Sequence, residues 1–219
     1  MVLVVARTLP QAIEMGLRFA GPLFFMGLQA SSVKTATKIW NEKSVGTFSV
    51  FPFVSLLTNC IIWTFYGLLR VDNTVLYPNA IGALAGASCI GMYQSVANVV
   101  PMKLYTFAAA IIAFSTYTFM KGNYKLLGSV GCALAVILSG SPLVTLATVI
   151  KDKSTASLPF ATSFTTWCNA LSWASYGLLV AHDPMIYGPN LLGLALATIQ
   201  MSLFFIYGLP PAPVVKPIF

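Results

Sequence analysis

The stretch of sequence that decides the fold occurs twice. Residues 59–69 read NCIIWTFYGLL, and residues 169–179 read NALSWASYGLL. Asparagine, tryptophan and the Tyr-Gly-Leu-Leu run recur in the same order and without a gap. We call the shift that carries Asn59 onto Asn169 the repeat offset. Composition alone produces stray matches of leucine and glycine, but not an ordered recurrence of this kind, so the chain contains an internal repeat.

The repeat extends to both sides of this core. Further matched residues precede it at the same spacing and follow it after one inserted residue. They are Lys43-Ser44 with Lys153-Ser154, Pro78-Asn79 with Pro189-Asn190, and Gly82 with Gly193. Each repeat unit is therefore much longer than one helix.

The composition predicts an all-α integral membrane protein. The 219 residues are 58% apolar and 8% charged, and the mean hydropathy is +0.83. A water-soluble domain carries about a quarter charged residues. The net charge of +7 is spread between apolar runs, which is typical of a loop bias in a membrane protein rather than of a nucleic-acid partner.

The apolar runs predict seven transmembrane helices of about 20 residues each. The runs are 16–38, 48–69, 75–97, 102–119, 126–149, 158–180 and 186–207. The repeat divides them into a first three-helix bundle in residues 1–100, a linker helix in 101–122, and a second three-helix bundle with a short tail in 123–219. One linker helix between two units of three makes the units parallel, about an axis along the membrane normal, and this symmetry predicts a site between them.

The basic residues weakly favour an N-terminus outside the cell, because seven of them then lie on the cytoplasmic side against five outside. No cleavable leader is predicted at the N-terminus. The four cysteines are widely spaced in apolar runs, so they are predicted to be small core side chains rather than disulfide or metal ligands.

No constellation of ionisable residues predicts an enzyme, a metal site or a cofactor. The only histidine is His182, and all five carboxylates lie in or near the connections. Proton-coupled transporters usually carry ionisable groups at depth, so a substrate is expected to move down its own gradient. Asp183 and Arg70 are interpreted as solvated loop charges in preference to a gate.

Two tryptophans and two asparagines recur within the apolar runs: Trp63 with Trp173, and Asn79 with Asn190. An amide in hydrocarbon is costly unless paired, and it offers both donors and acceptors. Indole faces stack on the apolar face of a pyranose ring. The set predicts a site for a neutral polyhydroxylated solute. The alternative is that the indoles anchor the helices at the interface and the amides join helices.

Three prolines are candidates for hinges. Pro52 and Pro159 lie near the starts of the second and sixth helices, and Pro142 lies inside the fifth. A proline within a helix removes a backbone hydrogen bond and permits a bend, which would let two bundles rock around a fixed site. A static kink is the equally weighted alternative.

From about Ser31 to Tyr207 the sequence resembles the SWEET family of eukaryotic sugar transporters. The resemblance rests on an ordered set of motifs with their spacings. They are Lys43-Ser44, the segment from Pro52 to Trp63, Tyr66-Gly67, Pro78-Asn79 with Gly82, Ser141-Pro142-Leu143, Lys153-Ser154, Pro159-Phe160, Trp173, Tyr176-Gly177, and Pro189-Asn190 with Gly193. It implies two three-helix bundles joined by a linker helix, and facilitated bidirectional transport of mono- or disaccharides.

The resemblance implies roles for particular residues. The pocket comprises the tryptophan and asparagine pairs, and Asn59 and Asn169 match positions linked to sugar size, where amides resemble the monosaccharide type. Tyr66 and Tyr176 match gate positions, with Asp183 close by. The hinges map onto Pro52, Pro142 and Pro159. One departure is Ser32, which stands where the family has a fourth proline.

The expected function is therefore facilitative, uniport transport of glucose-like sugars by alternating access. The expected partners are the sugar and the lipid bilayer, the expected compartment is the plasma membrane or an endomembrane, and homo-oligomers are compatible with the resemblance. One alternative is a proton-coupled amino-acid transporter of the PQ-loop type, disfavoured because the only Pro-Gln is Pro10-Gln11. A second is a membrane scaffold or receptor that transports nothing.

Overall fold

The computed structural model describes residues 9–138 and 140–209, without the side chains of residues 140–142. Every element assigned within these ranges is an α-helix. The helices are α1 (Gln11–Glu42), α2 (Phe51–Arg70), α3 (Asn73–Gln94), α4 (Met102–Met120), α5 (Tyr124–Leu138), α6 (Gly140–Asp152), α7 (Phe160–Leu179) and α8 (Pro184–Tyr207). Together α5 and α6 correspond to the fifth predicted helix. The seven predicted helices are confirmed, and α1 is longer at both ends than its apolar run.

Four stretches of the described chain are long and apolar enough to cross a membrane by length and composition. They are α2, α3, the stretch Tyr124–Asp152 that contains α5 and α6, and α8. The other three helices, α1, α4 and α7, are more polar. For example, α1 contains the charged residues Glu14, Arg18, Lys34 and Lys38. The predicted membrane class agrees with this composition.

Local chemistry sets the helix starts. Asp72 begins α3 by accepting hydrogen bonds from the backbone N of Thr74 and of Val75, and Asp183 begins α8 by accepting one from Met185 N. Carboxylates at this position satisfy helix N–H groups that would otherwise have no partner. Both aspartates are therefore held in fixed positions by the helices that they start.

Packing follows the repeat. In the first bundle α3 packs against both α1 and α2, and in the second bundle α8 packs against α7, α5 and α6. Across the bundles α1 packs on α7, and α2 packs on α5, while α4 packs on α2 and α5. The repeat relates α1 to α5 and α2 to α7, so it converts the α1–α7 contact into the α2–α5 contact. The two bundles are therefore related by an approximate two-fold axis.

The repeats run parallel. The turn between α2 and α3 meets the turn between α7 and α8, because the Tyr66 hydroxyl lies 2.7 Å from Asp183 Oδ2. We call this end of the molecule the turn end. The 3+1+3 architecture predicted from the repeat is confirmed. The predicted orientation, with the N-terminus outside, would place the turn end on the extracellular side.

Two repeated glycines permit the close approach of consecutive helices. A Cβ atom at Gly67 would lie 2.8 Å from the backbone N of Leu76 in α3, and one at Gly177 would lie 2.7 Å from the backbone N of Tyr187 in α8. Backbone atoms cannot yield as a flexible side chain does. The Tyr-Gly pair of the repeat therefore serves the packing of each helix hairpin.

Gly67→Ala is expected to destabilise the protein by about 1–3 kcal/mol, because overpacking a close contact forces the backbone apart. The matched control is Gly91→Ala in α3, where a Cβ atom would meet nothing within 4 Å. Thermal unfolding of the purified protein in detergent checks both variants. Equal melting temperatures for Gly67→Ala and Gly91→Ala would contradict the close-approach explanation.

Candidate binding cavity and gate

A cavity of about 180 Å³ lies between the two bundles. Its lining consists of five pairs of residues related by the repeat, with one unpaired proline. The lining residues are Phe25 with Ala135, Asn59 with Asn169, Trp63 with Trp173, Val75 with Ile186, Asn79 with Asn190, and Pro189. All six residues predicted to bind substrate thus line one cavity, and none of the lining residues carries a charge.

Sequence reasoning did not assign five of the eleven lining residues to the site, namely Pro189 and two repeat-related pairs. Val75 and Ile186 are apolar in an apolar run, so nothing in the sequence distinguishes them from residues facing lipid. Phe25 and Ala135 are related by the repeat offset but differ in type, so a search for identical residues passes over them. This pair makes the cavity unequal, with a phenyl group on one side and a methyl group on the other.

Each cavity tryptophan packs on a glycine of the opposite bundle. A Cβ atom at Gly21 in α1 would lie 3.0 Å from Trp173 Cδ2, and one at Gly131 in α5 would lie 3.1 Å from Trp63 Cε2. The repeat offset also relates these two glycines to each other. Trp173 is only 7% exposed, so the alternative of an interfacial anchor is wrong for it, and both indoles bridge the bundles beside the cavity.

The two cavity asparagines after proline use only part of their hydrogen-bonding capacity. Asn79 Nδ2 donates to Val75 O at 2.8 Å, and Asn190 Nδ2 donates to Ile186 O at 2.7 Å. Each bond stays within its own helix, so neither amide joins two helices through it. Among the described residues, neither Oδ1 accepts a hydrogen bond.

The second asparagine pair, Asn59 and Asn169, also has unused hydrogen-bonding capacity. Asn169 Oδ1 is buried and has no hydrogen-bond partner among the described residues. A buried acceptor without a donor is costly, and this one belongs to a residue that lines the cavity. The cavity wall therefore presents amide groups that remain available to a polar solute.

The turn end is closed by two tyrosines, each of which donates a hydrogen bond to the opposite bundle. Tyr66 donates from its hydroxyl to Asp183 Oδ2 at 2.7 Å. Tyr176 donates to Asp72, whose Oδ1 and Oδ2 lie 2.9 and 2.8 Å away. Each tyrosine of one bundle thus bonds to the helix-starting aspartate of the other. These four residues form what we call the gate.

The interpretation of Asp183 as a solvated charge is wrong, whereas Arg70 is exposed, as that interpretation expects. Asp183 is 5% exposed, and Arg70 Nε lies 3.2 Å from its Oδ2. Burial of a carboxylate requires a partner of this kind. Asp72 was not predicted at all, although the interval from Asp72 to Asp183 equals that from Pro78 to Pro189, and this signal could have identified it.

Aromatic contacts connect the gate to the cavity. Trp63 packs edge-on against Tyr66 with ring centroids 5.3 Å apart, and Trp173 packs likewise on Tyr176 at 5.9 Å. Edge-to-face pairs of this type are favourable. The side chains that wall the cavity therefore touch the side chains that close the turn end.

Two of the three predicted hinge prolines lie at the starts of helices. Pro52 is in the first turn of α2, and Pro159 is the cap residue before α7. Pro142 falls within α6, and its side chain lies outside the described residues. Three further prolines, which were not predicted as hinges, lie inside helices: Pro22, Pro78 and Pro189. The hinge roles remain predictions.

Ser32, where the family resemblance expects proline, lies within the continuous helix α1. The four cysteines are free, and two of them, Cys60 and Cys89, are buried. Within residues 9–138 and 140–209, no three His, Cys, Asp or Glu side chains lie close enough together to hold a metal ion.

A two-fold repeat of helices around an uncharged cavity, closed at one end, defines the class of membrane transporters with internal repeats. Comparison with known proteins gives the family. The profile described as "Sugar efflux transporter for intercellular exchange" matches residues 16–99 and again residues 125–212. The two matches flank α4, in agreement with the repeat.

Relatives and a solved structure agree. The chain is 31% identical to bidirectional sugar transporter SWEET3 of Arabidopsis thaliana over 82% of this chain and 74% of that protein. It is 31% identical to SWEET2b of Oryza sativa subsp. japonica over 86% of this chain and 87% of that protein. A solved eukaryotic SWEET transporter superposes with a TM-score of 0.78 at 29% identity, covering 89% of this chain and 96% of that one. The chain belongs to the SWEET family, whose members are transporters and not enzymes.

Proposed function

We propose that the protein is a facilitative, bidirectional uniporter of glucose-like monosaccharides that works by alternating access. The observation that carries this proposal is a cavity whose two indoles and four amides come in repeat-related pairs, with amide oxygens that no described residue satisfies. Indoles offer apolar faces to a sugar ring, and amides offer both donors and acceptors to its hydroxyls. The relatives named above are bidirectional sugar transporters.

The size of the cavity supports one sugar ring rather than two. Pockets for drug-sized ligands usually measure about 300–1,000 Å³, whereas this cavity measures about 180 Å³. Asn59 and Asn169 occupy both walls with amide groups, and Phe25 adds a phenyl group. We therefore favour hexoses over sucrose.

The chemistry of the cavity supports passive transport. Among its described lining residues there is no Asp, Glu or His, and proton-coupled transporters generally need such groups along the pathway. This observation also disfavours the PQ-loop alternative. A scaffold or receptor would not need polar groups matched across both repeats.

In the proposed cycle the gate opens while the opposite end closes, and then the reverse. Tyr66, Tyr176 and Asp183 are the proposed gate, supported by the hydrogen bonds that close the turn end. Pro52, Pro142 and Pro159 are the proposed hinges at the opposite end. The plasma membrane is the proposed compartment, and homo-oligomers are a proposal that rests on the family alone.

Uptake of labelled glucose and labelled sucrose into proteoliposomes tests the proposal. We expect glucose to equilibrate across the membrane at the same rate with and without a pH gradient, and sucrose to enter more slowly. We expect no proton dependence because the described lining of the cavity contains no Asp, Glu or His that could carry a proton. Glucose flux that vanishes without a proton gradient would contradict the uniport mechanism, and faster sucrose entry would contradict the size argument.

A further inference from the structure

The turn end holds a second arginine, Arg18, in addition to Arg70 and the four gate residues. The guanidinium carbon of Arg18 in α1 lies 5.9 Å from the centre of the Tyr176 ring. Its Nε and Nη2 donate to Glu14 Oε1 at 3.1 and 2.8 Å. The hydroxyl of the same Tyr176 ring donates a hydrogen bond to Asp72 Oδ2 at 2.8 Å, so Arg18 and Asp72 both lie at this tyrosine.

The ion pair with Glu14 does not by itself explain the position of Arg18. The two side chains are 45% and 42% exposed, and an exposed pair one helical turn apart contributes little to stability. Its geometric effect is larger, because two hydrogen bonds to one carboxylate fix the direction of the guanidinium. Glu14 holds Arg18 on the side of α1 that faces Tyr176, and a cation near an aromatic ring is attracted to it.

The two halves of the gate obtain their cations differently. Asp183 pairs with Arg70 at the end of α2. The repeat offset carries Arg70 onto Val180, so the second repeat supplies no arginine to Asp72. Without Arg18, the contact between the buried Tyr176 and the half-buried Asp72 would have no nearby cation comparable to Arg70 among the described residues.

The residue that corresponds to Arg18 in the second repeat also contacts a gate tyrosine. The repeat offset carries Arg18 onto Gly128, where a Cβ atom would lie 2.8 Å from Tyr66 Cε2. The same place in each repeat therefore meets the tyrosine of the opposite bundle. Only the first repeat carries a charged side chain there.

Pro22 follows Arg18 by one helical turn inside α1. Proline has no N–H, so it leaves the carbonyl of the residue four positions earlier without its helical hydrogen bond. That carbonyl belongs to Arg18. The turn that carries Glu14 and Arg18 is therefore joined to the rest of α1 by a loosened turn, which permits it to move relative to the cavity.

We propose that Arg18, oriented by Glu14, is a second cationic latch that holds the turn end closed by attracting the Tyr176 ring and Asp72. Both cations of the gate then come from the first bundle and act on different halves of the closure. Loss of Arg18 shifts the equilibrium toward the state that is open at the turn end, because that charge favours only the closed state. The inference goes beyond the proposed transport function, and the movement of the gate can be measured without any sugar.

The test is a distance measurement by double electron–electron resonance on purified protein in lipid nanodiscs. Spin labels are placed at Val71, which is 86% exposed after α2, and at Leu179, which is 49% exposed at the end of α7, in a background without the native cysteines. We expect Arg18→Gln to raise the ratio of open to closed distances about two- to fivefold, the size of an exposed cation–π contact. Arg18→Lys keeps a cation and is expected to stay near the wild-type ratio.

The matched control is Lys121→Gln. Lys121 follows α4 at the turn end, and its ring contact, at 5.7 Å from the ring centre, is with the exposed Tyr117 rather than with a gate tyrosine. We expect this change to leave the distances unaltered. An Arg18→Gln distribution equal to wild type, a Lys121→Gln shift as large as that of Arg18→Gln, or an Arg18→Lys variant as open as Arg18→Gln would each overturn the proposal. A protein that failed to carry glucose would refute the proposed function and leave these distances interpretable.

Discussion

Asn190→Ala and Asn79→Ala are each expected to lower glucose flux at least tenfold while the protein still inserts normally. The truncated amide leaves a sugar hydroxyl without its partner, which costs about 1–3 kcal/mol, and about 1.4 kcal/mol corresponds to a factor of ten. The two effects should be similar, because in the wild-type protein each amide donates one hydrogen bond to the carbonyl one helical turn earlier and is otherwise available to the sugar. Initial rates of labelled glucose uptake in proteoliposomes provide the measurement.

A control for general damage is Asn41→Ala, which removes an exposed amide near the end of α1, away from the cavity. Its flux should match wild type. Wild-type flux in both Asn79→Ala and Asn190→Ala would refute the assignment of the cavity as the binding site. Equal losses in all three variants would indicate a defect in the preparation rather than in the site.

Trp63→Ala is expected to lower glucose flux roughly 10- to 30-fold. Removing an indole that covers one face of the sugar exposes about 60–80 Å² of apolar surface, worth about 1.5–2 kcal/mol at about 25 cal/mol per Å². Trp63→Phe keeps part of that surface and should lose less. The measurement is again initial uptake, with the half-saturation concentration and the maximal rate determined separately.

Trp167→Ala serves as the matched control for Trp63→Ala. Trp167 lies on α7 outside the cavity lining and donates from Nε1 to Thr198 Oγ1 at 3.0 Å. Loss of this tryptophan should leave the half-saturation concentration unchanged. If Trp167→Ala impaired transport as much as Trp63→Ala, the stacking role of Trp63 would have no support.

The repeat made most of the architecture predictable. A segment that recurs in order at one constant offset requires two equivalent units, and the helix count then determines that they run parallel. That offset identified Asn59 with Asn169 and Trp63 with Trp173, and the same offset plus the one inserted residue identified Asn79 with Asn190. Identity between repeats is a strong signal because each matched side chain occupies the same environment twice.

Features that break the repeat could not be predicted in this way. Phe25 and Ala135 face the same cavity but differ in type, and Arg18 and Gly128 meet equivalent tyrosines with different chemistry. The burial of Asp183 also escaped prediction, because a charge in a short connection is usually solvated. Only the packing of the two turns against each other creates the environment in which Arg70 and Tyr66 satisfy it.

The central claim is that the paired indoles and amides form one shared site rather than two separate ones. Equilibrium binding of labelled glucose to the purified protein tests it most directly. We predict saturable binding of one glucose per chain, abolished when Asn79 and Asn190 are both replaced by alanine. Undiminished binding in that double variant, or two independent glucose sites per chain, would contradict the account.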